Sequence, residues 1–263
     1  VATAVSGIQK AMKHVSNINV YGFAIFLIFL LVFSNASFLF NLSTEALGGF
    51  AGTFIERILI TGESVGTQWP QWWTTFYWFS WMAWAPTSGA FMGQIAYGRK
   101  VKHVLGLYVG LCASVSALWM VLVSGTSLWV QTSGLFDLVA SYDRGVENVP
   151  YDMLGALPLG NLIIPLFVVL IFLSTITACN SNCIAMAGIS TQGINPDSPD
   201  SPMWLKLVWC VVPMAVGYIM IATVGVNGVK IIANFGGMFA ALIMIGATAS
   251  LGILIKNYKK FDK

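Results

Sequence analysis

Residues 68–99 read QWPQWWTTFYWFSWMAWAPTSGAFMGQIAYGR. Nine aromatic rings fall between Trp69 and Trp84, and no acid or base interrupts the run before Arg99. Trp69, Trp72 and Trp73 stand at its start, where an aromatic belt at a membrane–water interface is expected. Tyr77, Trp81 and Trp84 lie deeper, at i, i+4 and i+7, so a helix puts them on one face, and Ser88 and Phe91 continue it. Pro86 and Gly89 follow, which predicts a kink. Gly89 and Gly93 form a small-xxx-small pair that predicts close helix packing.

The rest of the chain supplies the setting for this helix. Of 263 residues, 57% are hydrophobic and only 9% charged, against about 25% charged in soluble domains. Mean hydropathy is +0.79. An all-α polytopic membrane protein follows, with spans predicted at 20–42, 70–97, 103–131, 160–190, 203–224 and 229–256, each near the length a bilayer requires. The stretch 46–60 is shorter and broken by Gly48-Gly49 and Glu56-Arg57, so it reads as an interfacial helix. Residues 1–19 read as an inner loop, and Pro196, Pro199 and Pro202 as an inner turn. Val1 in place of a Met suggests that the sequence starts mid-protein.

Basic residues set the orientation. With the N-terminus inside, Lys10, Lys13, Arg99, Lys100, Lys102, Lys206, Lys256, Lys259, Lys260 and Lys263 are cytoplasmic, and Arg57, Arg144 and Lys230 lie outside. This bias places both ends in the cytoplasm. The +3 net charge is spread over short loops, so nothing points to nucleic acid. Cys112, Cys179, Cys183 and Cys210 fall inside apolar runs and read as small helix residues, with no disulfide or metal role.

No Asp, Glu, Lys, Arg or His lies well inside a predicted span. That removes haem ligation, intramembrane aspartyl proteolysis and an acid-based proton relay. No nucleophile–base pair can be assembled, so no catalytic residue and no cofactor are assigned. A cation handled here is recognised without a full counter-charge. Aromatic faces suit a quaternary ammonium group, which has no N–H to donate, at about 0.5–2 kcal/mol per ring contact. Ring packing between helices is the competing reading of the same stripe, and spacing alone leaves both open. The span 160–190 adds Ser174, Thr175, Thr177, Asn180, Ser181 and Asn182, polar groups that need partners inside the protein. They fit interhelical hydrogen bonding or a cation site.

The run from Trp73 to Pro86, with Gly89, Phe91 and Gly98-Arg99, resembles the signature helix of the betaine/choline/carnitine transporter family. Ser6-Gly-Ile-Gln-Lys10 with Val15–Asn19 is similar to that family's inner loop before its seventh span. Phe172–Thr191 and Gly236-Gly237 look similar to the carnitine/γ-butyrobetaine antiporter branch. The resemblance implies a LeuT-like inverted-repeat transporter fold, of which this chain holds the second five-helix repeat plus one preceding span. It implies a bacterial inner-membrane location, a homotrimer built through the 46–60 helix, the lipid bilayer as surroundings, and a small quaternary-ammonium substrate. It also implies that Trp81 and Trp84 contact substrate, with Tyr77, Ser80, Ser88 and Phe91 beside them.

Three departures stand out. Ser80 replaces the first member of the family's Trp-Trp pair. Thr87 and Ser88 replace an apolar pair. Thr177 is followed by Ala178, where sodium-coupled relatives have a second hydroxyl. Thr177, Ser181 and Thr87 are therefore the candidate ligands if Na⁺ is the coupling ion, and exchange without sodium is the alternative. A neutral amino-acid carrier of the same fold and a non-transporting sensor or structural subunit are the competing functions.

Overall fold

The computed structural model describes residues 8–96, 98–193 and 201–257. Every regular element among them is helical. The major helices are α1 (Ile8–Phe33), α2 (Ala36–Leu59), α3 (70–95), α4 (Val101–Thr132), α5 (Leu138–Arg144), α6 (Val149–Gly155), α7 (Gly160–Ile189), α8 (Met203–Val224) and α9 (Val226–Lys256). Five stretches are long and apolar enough to cross a membrane: Lys13–Phe33, Val101–Thr132, Gly160–Ile189, Met203–Val224 and Asn227–Lys256.

The sixth expected span, 70–97, is also a helix. It opens with a π turn at Pro70–Thr75 and continues as an α-helix over Phe76–Ile95. Its length is sufficient, but its mean hydropathy falls below that of the other five. The indole and phenol groups are amphipathic, and Ser80, Pro86, Thr87, Ser88 and Gly89 dilute it further.

The N-terminal boundaries differ from expectation. Helix α1 begins by Ile8, so much of the expected inner loop 1–19 is helical. The chain turns at Ser34–Asn35, within the predicted 20–42 span, and α2 runs unbroken through the predicted 46–60 helix. Asn35 explains the turn: its Oδ1 accepts from Phe38 N at 3.0 Å, an N-cap bond that starts a new helix. Hydropathy does not register that signal, because Phe33, Phe38 and Leu39 keep the run apolar. Gly48 and Gly49 leave α2 unbroken. The expected inner turn at 196–200 and the first seven residues lie outside the described residues.

The chain divides into two compact units. Among the described residues the first comprises 8–58 and 98–178, and the second comprises 59–96, 179–193 and 201–257. In the first, α1, α2, α4, the short α5 and α6 and the leading part of α7 enclose a core that includes Phe26, Leu30, Leu39, Val130, Met153, Leu154, Phe167 and Leu170. Phe26 stacks on Phe167 at 5.0 Å, and Phe23 meets Trp119 edge-on at 5.3 Å. Close helix approach depends on glycine. A Cβ on Gly22 would overlap Leu170, and one on Gly125 would come within 2.6 Å of Leu39. Asp137 caps α5 by accepting from Val139 N and Ala140 N. Arg144 and Ser141 both donate to Asp152 Oδ2, at 2.7 and 2.6 Å, tying α5 to α6.

In the second unit α3 lies along α9. The contact runs backbone to backbone at Gly237, where any Cβ would overlap the Phe79 carbonyl. Small residues allow such approach between membrane helices. Gly89 and Gly93, the expected packing pair, have no atom within 4 Å of an added Cβ. The small residues at the α3–α9 contact are Gly236 and Gly237 of α9 and Ala83 of α3. Helices α8 and α9 are joined at Gly225, whose φ of 73° favours glycine.

Candidate functional site

The site is assembled from α3 outward. Gly236 and Gly237 meet α3 at Ala83 and Phe79, which fixes the helix's rotation. At 100° per residue, Tyr77, Trp81 and Trp84 then fall on an arc turned away from that contact. They are 49%, 70% and 51% exposed, in the same range as Trp78, Phe172, Phe235 and Tyr218 on these membrane helices. Helix α9 does not pack over them.

The rings divide between two depressions. Tyr77 and Trp81, with Thr74 and Trp78, border a groove of about 230 Å³ on α3 itself. Trp84 and Thr87 line a cavity of about 370 Å³ whose other walls come from α7 (Cys179, Asn182, Cys183, Met186) and α8 (Trp209, Cys210, Pro213, Met214). The α8 wall was not foreseen. Its signal was present in the sequence: Lys206, Cys210, Pro213 and Met214 recur at helical spacing. Cys183 Sγ donates to the Trp209 carbonyl at 3.2 Å, and Trp209 Nε1 donates to Ser190 Oγ at 3.0 Å. These bonds hold α7 against α8.

Ser80 and Phe91 are half-buried and Ser88 is exposed, and none of the three lines either depression. The expected substrate residues are thus brought together only in part. The ion candidates come from two helices. Thr177 and Ser181 are one turn apart on α7, and Thr87 is on α3. The Thr177 hydroxyl donates to the Ser174 carbonyl at 2.9 Å, and that of Thr87 to the Trp84 carbonyl at 3.0 Å. Both hydroxyls are turned back onto their own helices, a local bond that competes with other roles. Ser174 in turn accepts from Asn19 Nδ2 at 2.7 Å, so part of the polar patch on α7 is used to join α7 to α1.

A second feature escaped the sequence reading. Lys230, in the second turn of α9, places its Nζ 4.9 Å from the Trp73 ring centre and 5.5 Å from that of Phe76. Trp73 also stacks on Tyr77 at 6.2 Å, and Phe76 meets Tyr77 edge-on at 5.7 Å. One turn further along α9, Asn234 has a buried Oδ1 with no hydrogen-bond partner among the described residues. A protein cation thus already rests on aromatic faces at one end of the stripe.

A family model described as BCCT, betaine/carnitine/choline family transporter, matches residues 1–260. The chain belongs to that family. The match covers both units, so the aromatic helix and the packed core are parts of one family architecture. Its members are membrane transporters, in keeping with the five apolar helices, and they handle compounds of the betaine, carnitine and choline type. For a BCCT chain, a small substrate and a lipid bilayer are the expected surroundings.

Proposed function

We propose that this chain carries a quaternary-ammonium compound by secondary transport, and that the exposed face of α3 formed by Tyr77, Trp81 and Trp84 receives the ammonium head. One observation carries this reading: three large rings share an arc of α3 that α9 leaves uncovered. Indole faces attract a cation through the ring quadrupole, more strongly when water is excluded. Helix α3 then spans the cytoplasmic membrane with the other five, its Trp69–Trp73 end at the outer interface, and both ends of the described chain face the cytoplasm. Ser80 leaves the stripe one ring short of the family pattern.

Transport then proceeds as exchange, with little need for sodium. Thr177 is followed by Ala178, and a dehydrated Na⁺ needs several oxygens at once. Loss of one ligand costs about 1.5–3 kcal/mol, one to two orders of magnitude in affinity. The test is uptake of labelled carnitine or betaine by the full-length protein in proteoliposomes preloaded with unlabelled substrate. Equal exchange in sodium and N-methylglucamine buffers is the expected result. A saturable requirement for external sodium would refute the exchange reading. Preferential uptake of a primary-amine analogue over its trimethylated counterpart would replace it with an amino-acid carrier.

A further inference from the structure

Lys230 holds a full charge beside the aromatic stripe proposed above to receive the ammonium head. Among the described residues the one ion pair is Arg144–Asp152, so no described carboxylate lies within 4.0 Å of Lys230. Its contacts are the faces of Trp73 and Phe76. Ring quadrupoles attract an ammonium group but carry no net charge, so its field is not neutralised. Both rings touch Tyr77, which places that field at the end of the proposed cation face.

The consequence depends on the ligand's charge. A quaternary cation without an acid gains attraction from the rings and suffers repulsion from Lys230. At an effective dielectric constant near 20, two unit charges about 10 Å apart still interact by more than thermal energy. A zwitterion places its head on the rings and offers its carboxylate to the ammonium, and such a charge-assisted hydrogen bond is stronger than a neutral one.

We propose that Lys230 is a specificity-determining residue that selects zwitterionic quaternary amines, pairing with their carboxylate while Tyr77 and Trp81 hold the ammonium head, and that it disfavours quaternary cations lacking a carboxylate. This rests on the aromatic-face reading above and adds the class of substrate. Lys230 then leaves Trp73 for the carboxylate when substrate arrives, so the aromatic pair is the resting place of the side chain.

Glycine betaine and choline share a trimethylammonium head and differ in the acid, so their affinity ratio reads the contribution of Lys230. Both are titrated against the full-length protein by tryptophan fluorescence, for wild type, Lys230→Gln and Lys230→Arg. The wild type is expected to favour betaine. Lys230→Gln should weaken betaine about tenfold, or about 1.4 kcal/mol, and leave choline unchanged or tighter; Lys230→Arg should keep the preference. An unchanged ratio in Lys230→Gln, or an equal fall for both ligands, overturns the proposal. Betaine ethyl ester keeps the head and blocks the acid, so on wild-type protein it reads the same contrast without any variant. It should bind about tenfold more weakly than betaine, and equal binding also overturns the proposal. Failure of the aromatic reading shows separately, as indifference of both ligands to loss of Trp81.

Discussion

Phe26, Leu30, Phe167 and Leu170 interlock in the first unit. The second closes its helices over Cys183, Ala185, Ala187, Cys210, Gly237 and Ala240, and leaves Trp81 and Trp84 uncovered. The two units thus use their large side chains in opposite ways. One places rings between helices, where burial and stacking stabilise it. The other brings backbones together over small residues, which keeps its largest rings out of the packing and available to a ligand. Composition does not separate these uses, because both units are rich in aromatic residues. Glycine allows close approach in both units, at Gly22 and Gly125 in the first and at Gly237 in the second; the first also buries aromatic rings between its helices, at Phe26 and Phe167.

Substitutions should break the two units differently. Phe167→Ala removes a ring stacked on Phe26 in a filled core and should cost about 3–5 kcal/mol of stability. Measured by thermal unfolding of the purified protein, it should lower the midpoint strongly while betaine affinity in the surviving folded fraction stays at the wild-type value. Gly237→Ala drives a methyl into the Phe79 backbone and should cost about 1–3 kcal/mol. It should also shift α3, so that stability and affinity fall together. Gly89→Ala meets open space and should be neutral or slightly stabilising, since alanine favours helix over glycine by about 1 kcal/mol. A Gly89 variant as damaging as the Gly237 variant would show that the close helix contact has been assigned to the wrong glycines.

Much of this was legible before the structure. The bounds of α7 and α8 lie within a residue of the predicted spans, because apolar runs ending at Gly160 and Pro202 leave little choice. The stripe of Tyr77, Trp81 and Trp84 was readable from its spacing. The turn at Asn35 was not, since a single capping side chain inside an apolar run outweighs hydropathy. The α8 wall of the cavity and the seat of Lys230 were also hidden. Each depends on which helices become neighbours, and periodicity within one helix carries no information about that. Gly89 and Gly93 illustrate the reverse case, a packing pattern in sequence for which the described residues provide no partner.

The central claim is that the uncovered face of α3 binds a quaternary ammonium head. Its most direct test is the affinity of the full-length protein for glycine betaine or carnitine in wild type, Trp81→Ala and Trp72→Ala, measured by isothermal titration. Trp81→Ala should weaken binding by about 1–2 kcal/mol, roughly five- to thirtyfold. Trp72→Ala, at the interfacial end of the helix, should lose distinctly less. Equal affinities for wild type and Trp81→Ala would contradict the claim.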